Sequence, residues 1–509
     1  CRRDWQAGQF PPPQRDDRVT TAISPASTPT LRQNQRARTK IVATVGPACR
    51  DEAQLAALVE AGVDVFRLNM AHGELAQHEE VLDRIRRISD ELHNPVGVLV
   101  DLAGPKIRLG ELTGGLIDCQ QGNELTFVRG EQVSDASELV TNYPGLIDEL
   151  HVNDRVMLVD GTVRLDVCER GADWVRCRVT QPGLIRSRQG VNLPGVKISL
   201  PAMSEADRKH AVWAAAKGAD FVSLSFVRSP KEVNELKWLL SYHDSHAKVI
   251  AKIEKQEAID QLDEIVIAAD GVMVARGDLG VEIDVASMPV VQKQIVAACN
   301  RYDKPVIIAT QMLDSMQHSR QPSRAEVTDV ANAILDGCDA CMLSGETAVG
   351  EYPRAAVEMM NRIALATEPL MRNRPSMPPP VILPDDLKRI TQAVVVGAAN
   401  IAQELDASLA VVVSHSGASA LAMSKRRNLV PIVGVSDSIE TLRQMALYWN
   451  VIPLPGAPTT DSIQLLQYVE DWGLREGLLA PGNFVVLVAG VALASRGHNM
   501  VRVHEVGAG

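Results

Sequence analysis

A chain of 509 residues is too long for one ordinary hydrophobic core, so two to four domains are expected. Its 46% hydrophobic and 23% charged residues are those of a globular protein. A net charge of −11 excludes general affinity for nucleic acid or anionic membranes, so any anion the protein handles must be met by locally concentrated Lys and Arg. The longest strongly apolar stretch, 484–494, is too short to span a bilayer. Eight cysteines without framework spacing fit reduced thiols and a cytoplasmic setting.

Residues 1–38 are rich in Arg and Pro and lack an apolar h-region, which reads as a disordered tail rather than a targeting peptide. From residue 39, apolar strand-like runs alternate with helical patterns. The runs are 40–45, 63–68, 96–100, 221–226, 249–253, 271–275, 305–309 and 340–343. Leu55, Leu58 and Val59 share a helix face before Gly62, a C-terminal stop. Val81, Ile85, Ile88 and Leu92 recur at helical spacing. Ser204 with Asp207 reads as a capping box, and Ser229-Pro230 as an N-cap followed by proline. Eight strand–helix units predict a (β/α)8 TIM barrel over 39–106 and 201–374. Between 107 and 200 the helical period disappears and short alternating runs (156–159, 163–167) stand between turns. This predicts a mostly-β lid domain inserted after the third barrel strand. A proline-rich linker at 375–380 precedes runs at 409–413, 431–435 and 484–488, which predict a C-terminal open α/β domain over 381–509. No tandem repeat is legible beyond the barrel unit. Cys338 and Cys341 form a C-x-x-C, but with no second pair they read as structural thiols.

Candidate chemistry lies at the strand ends, where barrel enzymes collect it. Lys252 and Glu254 close the fifth run, Asp278 follows the sixth, and Thr310 closes the seventh. Side chains alternate faces along a strand, so Lys252 and Glu254 project together, as do Arg67 and Asn69. A structural ion pair at the barrel mouth is the plainer reading of such charges. Four strands offering polar groups at one level favour a site. Glu254 and Asp278 supply hard oxygen ligands suited to Mg2+ or Mn2+ completed by substrate and water. The glycines of Arg276-Gly277-Asp278-Leu279-Gly280 would expose backbone N–H groups to an anion. No Walker loop is present, so any nucleotide is held another way.

The motifs TKIVATVGP at 39–47, RLNMAHG at 67–73, DLAGPKIR at 101–108 and GVNLPG at 190–195 resemble signatures of the pyruvate kinase family. KIE at 252–254, VMVARGDLG at 272–280, ATQMLDSM at 309–316, SRAEVTDVAN at 323–332 and LSGETA at 343–348 continue the resemblance in family order. It implies transfer of the phosphoryl group of phosphoenolpyruvate to ADP. It further implies that Lys252 stabilises the transferring group and the enolate oxygen, that Glu254 and Asp278 hold the divalent metal, and that Gly277, Asp278 and Thr310 seat the substrate carboxylate. Thr310 would lie where the enolate carbon is protonated, with Glu326 supporting the proton relay; a helix N-terminal acid is the other reading of Glu326. Arg67 would grip the phosphoryl group, and Asn69, His72 and Arg108 would lie toward the nucleotide. The family's usual homotetramer is the assembly implied.

Three positions depart from the family pattern. The residues matching a K+ site are Asn69, Ala71, Asp101 and Leu102; Ala71 removes one oxygen ligand. Lys106 stands where K+-dependent members have Glu, so an ammonium would replace the ion and K+ would not be required. Gln189, beside Arg188, replaces a lid Lys that contacts nucleotide phosphate, which implies weaker ADP binding. Ser414, Ser416, Gly417 and Ser419 precede a helix and match an allosteric phosphate cradle, with His415 where some relatives carry Lys; a serine-rich helix cap is the alternative. Two other functions stay open: a metal-dependent lyase working through a pyruvate enolate, and a non-catalytic metabolite sensor.

Overall fold

The computed structural model describes residues 32–159, 161–372, 380, 389–490 and 499–507. Eight parallel strands close into a barrel: Lys40–Thr44, Val65–Asn69, Gly97–Asp101, Phe221–Leu224, Lys248–Ile253, Gly271–Ala275, Val306–Ala309 and Ala340–Leu343. They follow chain order around the ring, and Lys40 pairs with Ala340 to close it. Their β-branched, apolar sequences suit strands covered on both faces. Val42, Val65, Leu99, Phe221, Ile250, Met273, Ile307 and Met342 fill the interior. The outward side chains pack under helices such as Glu52–Ala61 and Leu75–Glu91.

Local signals account for the boundaries. Ser204 accepts the Asp207 N–H in a capping box, Pro230 opens its helix after Ser229, and Gly62 ends the first helix at φ 121°. Two of the strands that are shorter than their apolar runs have a local cause. The fourth stops at Leu224 because Phe226 turns to φ 54° and gives its N–H to the Glu254 carboxylate. The seventh starts at Val306, since Pro305 has no N–H for the ladder.

The N-terminal rim of the barrel carries a repeat that pattern reading missed. Gly62-Val63-Asp64, Gly218-Ala219-Asp220, Ala268-Ala269-Asp270 and Gly337-Cys338-Asp339 each precede an even-numbered strand. Each aspartate accepts the N–H of a residue on the preceding strand: Ile41 at 2.8 Å, Val98 at 2.7 Å, Val249 at 2.8 Å and Val306 at 2.8 Å. Each also meets a cation: Lys40, Arg86, Lys237 and Lys425 respectively. The three-residue signal was too short to register as a tandem repeat.

The insertion between the third strand and the helix Glu205–Ala216 is β-rich, as expected. It holds a six-stranded sheet and a two-stranded one, including Arg155–Leu158 and Val163–Arg170. Its own apolar core includes Phe127, Leu158, Leu165 and Val179. The C-terminal sheet runs Val451–Pro453, Ile432–Val435, Leu409–Val413, Phe484–Ala489, Met500–Glu505, the last antiparallel. Both edge strands escaped the sequence reading, one for its three-residue length and one for its interspersed Arg502, His504 and Glu505.

This domain plugs the N-terminal end of the barrel. A Cβ at Gly97 would stand 3.0 Å from the Arg443 carbonyl. Lys425 reaches Asp339 at 2.6 Å, and Arg426 reaches Asp303 at 2.6 Å, all buried. Residues 32–38, expected to belong to a loose tail, are held in place. Gln33 donates its N–H to Glu476, Ala37 to Asn361, and the Arg38 Nε to the Leu429 carbonyl, so 32–38 are tied to both domains. Residues 1–31, and the linker apart from Pro380, lie outside the described residues. Cys338 and Cys341 are buried with their sulfurs 3.9 Å apart. Among the described residues no helix is long and apolar enough to cross a membrane.

Candidate active site

The C-terminal strand ends bring a charged network together inside the barrel mouth. Asp101, at the end of the third strand, is buried and accepts Arg67 Nε at 2.7 Å and Ser223 Oγ at 2.5 Å. Lys252 Nζ lies 3.4 Å from Asp101 Oδ1 and 2.9 Å from Glu254 Oε1, and donates to Ser225 Oγ at 2.7 Å. The Ser225 hydroxyl in turn donates to the Leu102 carbonyl at 2.7 Å. Arg67 also donates to Thr44 Oγ1, which in turn donates to the Leu343 carbonyl. Burial works against the Lys252 ammonium, but Asp101 and Glu254 outweigh it and hold its pKa above the ordinary value. Burial likewise opposes the Asp101 charge, and Lys252, Arg67 and the Ser223 hydroxyl more than reverse it.

Glu254 and Asp278 pass the test for a divalent cation. Burial pushes Glu254 above the usual carboxylate range, against the pull of Lys252, and the neighbouring Asp278 charge adds to the push. Glu254 Oε2 takes the Phe226 N–H, while Oε1 is ion-paired to Lys252 but receives no hydrogen bond. An oxygen in that state, beside a second carboxylate, suits a hard cation that takes one or two protein carboxylates and finds the rest in substrate and water. Among the described residues no group of three or more His, Cys, Asp or Glu is gathered for a metal. Lys106 Nζ stands 3.9 Å from Asp278 Oδ1. Its stem runs against Gly190 of the insertion, where a Cβ would come within 2.9 Å of Lys106 Cε.

Thr310 follows the seventh strand with φ 65°, and Gln311 follows with φ 54°, both in the left-handed region. Thr310 Oγ1 accepts the Gly277 N–H at 2.8 Å and donates to the Ala309 carbonyl at 2.6 Å. Glu326 sits in the first turn of a helix. Its carboxylate takes the Ser315 N–H, the Ser315 hydroxyl and the Ser323 N–H, in a capping box that ties the segment after Thr310 to the helix Arg324–Asp336. Burial would raise its pKa, yet the Ser315 and Ser323 donors hold it below the ordinary value. A carboxylate so engaged is a poor proton relay.

The remaining expected residues are more dispersed. Asn69 Oδ1 accepts the Ala71 N–H, and the His72 carbonyl meets His78 Nε2. Arg108 bridges to Gly190 and donates to the Arg188 carbonyl at 3.4 Å. Gln189 turns its Oε1 back to the Arg186 N–H, and Arg188 pairs with Glu111 at 2.6 Å. Far from the barrel mouth, Ser414 and Ser419 are buried, and Gly417 is the N-cap of the helix Ala418–Ser424 at φ 80°. His415 pairs with Asp437 and, with Ser416, borders a cavity of about 640 Å³. Sequence reading missed Thr44, Ser223 and Ser225, the hydroxyls that orient the charged network. Lone Ser and Thr residues carry no spacing signal.

Charge of this density at the open end of a barrel, with a β-rich insertion beside it, belongs to enzymes that act on polyanions. Known proteins narrow that class. The family models described as "Pyruvate kinase, barrel domain" and "Pyruvate kinase, alpha/beta domain" match residues 36–357 and 392–504. Pyruvate kinase of Geobacillus stearothermophilus is 40% identical over 479 residues, 92% of this chain and 80% of that protein. Its counterpart in Staphylococcus saprophyticus is 39% identical, with the same coverage. The crystal structure of a pyruvate kinase from Cryptosporidium parvum superposes with a TM-score of 0.86 at 33% identity, over 93% of this chain and 97% of that one. The chain belongs to the pyruvate kinase family. It is a phosphotransferase that converts phosphoenolpyruvate and ADP to pyruvate and ATP.

Proposed function

We propose a division of labour at the barrel mouth, carried by one observation: a buried Lys252 ammonium lying between Glu254 and Asp101. Phosphoenolpyruvate and ADP are both polyanions. Two like charges about 4 Å apart repel by roughly 4 kcal/mol at an effective dielectric near 20. Lys252 and Arg67 offset that repulsion, Arg67 at the phosphoryl oxygens and Lys252 at both the transferring group and the enolate oxygen left behind. Phosphoryl transfer asks a protein chiefly for this positioning and charge stabilisation.

Glu254 and Asp278 would hold Mg2+ or Mn2+, which when bound neutralises substrate phosphate and carboxylate together. The N–H groups of Gly277 and Asp278, with the Thr310 hydroxyl, seat the substrate carboxylate, which on binding takes over the Gly277 N–H that Thr310 Oγ1 accepts in its absence. Thr310 then stands on the side from which the enolate carbon receives its proton, delivered through water. Asn69, His72 and Arg108 serve the nucleotide. Glu326 fixes the loop after Thr310. An assay of pyruvate formation with and without ADP tests the whole reading. Strict ADP dependence supports it, whereas equal rates without ADP would indicate a lyase and none at all a sensor.

K+ is not required on this reading. The oxygens that would ligate it already have protein donors: Asp101 has Arg67 and Ser223, the Leu102 carbonyl has Ser225, and Asn69 Oδ1 has the Ala71 N–H. Lys106 adds a positive charge nearby. Activity in a K+-free buffer should stay close to that with K+, and strong K+ activation would overturn the assignment. Ser414, Ser416, Gly417 and Ser419 are the proposed cradle for a phosphorylated effector. A homotetramer in the cytoplasm completes the proposal, checked by sedimentation.

A further inference from the structure

We infer that Arg276 is a positioning residue that holds Thr310 in its working conformation; this rests on the role given to Thr310 above. A β-branched residue at φ 65°, followed by a second non-glycine residue at φ 54°, persists only where its surroundings over-determine it. Arg276 supplies that restraint. Its NH2 donates to the Thr310 carbonyl at 2.8 Å and to the Gln311 carbonyl at 3.1 Å, and its Nε reaches the Thr310 carbonyl at 3.3 Å. The guanidinium is itself fixed, since NH1 donates to Asp329 Oδ2 at 2.6 Å and the side chain is only 9% exposed. The next residue completes the clamp, because the Gly277 N–H donates to Thr310 Oγ1. Adjacent residues at the start of the helix Arg276–Glu282 thus grip both ends of Thr310, carbonyl and hydroxyl. Only a planar, multi-donor head can bridge two successive carbonyls and a carboxylate at once; an ammonium keeps the charge but loses that geometry.

Arg276→Met, Arg276→Lys and Asp329→Asn should be made in the full-length chain, alone and with Thr310→Ala. In the wild-type background Arg276→Met is expected to lower kcat about 100-fold, the scale of a reacting group misplaced by about an ångström. Arg276→Lys should recover only part of that loss, and deuterium uptake by pyruvate in D2O should fall in step with kcat. In the Thr310→Ala background the same substitution should cost less than about 3-fold, because the group it positions is gone. A merely structural role predicts equal losses in both backgrounds, and that result would sink the inference, as would near-normal turnover in Arg276→Met. Should Arg276→Met fail to fold, Asp329→Asn decides, through a smaller loss that vanishes in the same background. If Thr310→Ala alone turns over normally, the Thr310 assignment falls and the inference with it. If Thr310→Ala is crippled but losses add, only the inference falls.

Discussion

The two rims of the barrel use the same acids and bases to opposite ends. At the N-terminal rim, each of Asp64, Asp220, Asp270 and Asp339 has its own cation and the N–H of a neighbouring strand. The charges sit in separate groups around the ring, Asp339 holding Arg427 at 3.1 Å besides Lys425, and each aspartate is anchored to a backbone donor that cannot turn away. At the C-terminal rim, Arg67, Asp101, Lys252 and Glu254 share partners in one network, in which the hydroxyls of Thr44 and Ser225 accept from Arg67 and Lys252 and that of Ser223 donates to Asp101. Hydroxyls can rotate when a ligand arrives. Charge anchored at fixed backbone donors makes a scaffold, and charge shared among movable hydroxyls makes a site.

Substitutions on opposite rims should therefore separate stability from activity. Asp339→Ala strands the fully buried Lys425 and orphans the Val306 N–H, so about 3–5 kcal/mol of stability should be lost. Its folded fraction should keep near-normal kcat, with denaturant midpoints and turnover measured on the same sample. Lys252→Met is the mirror experiment. It should cost about 3–4 kcal/mol of transition-state stabilisation, the worth of a lost oxyanion donor, while metal and substrate still bind. Turnover close to wild type would end the assignment of Lys252.

A smaller effect is expected where the insertion meets the site. Gln189 faces its own backbone and Arg188 is tied to Glu111, so neither is directed to a nucleotide phosphate. Gln189→Lys should tighten ADP by about 1 kcal/mol, the scale of one partly exposed charged contact, seen as a lower KM for ADP with kcat little changed. An unchanged KM would remove this position from the nucleotide site.

The contrast between the rims also explains what was legible in the sequence. The eight apolar runs and the C-terminal sheet stood out because burial on both faces leaves unbroken apolar signals, and the insertion because its half-buried strands alternate. Lys252, Glu254, Asp278 and Thr310 stood out because polar groups interrupt such runs at one level. The aspartate repeat did not, since three residues before a strand look like any turn. Ser223 and Ser225 were hidden because a small hydroxyl inside a strand costs the apolar pattern almost nothing. The Arg276 clamp was invisible because Arg276 reaches Thr310 and Gln311 through their backbone carbonyls, which no side-chain pattern encodes.

Glu326 tests where the network ends, and it should give the smallest effect. Its folded pKa lies below the ordinary 4.5, because the Ser315 and Ser323 donors overcome the burial that opposes its charge. A carboxylate with a lowered folded pKa binds protons more weakly folded than unfolded. Its contribution is then complete above the unfolded value and drains away as pH falls through the folded one. Glu326→Gln should show a shallower loss of stability on acidification below about pH 4.5, in thermal melts across that range. Its kcat at neutral pH should change little, because the carboxylate is already held in its cap by Ser315 and Ser323. A large fall in kcat with an unchanged acid limb would return Glu326 to the catalytic network and move the boundary between scaffold and site out to the helix start.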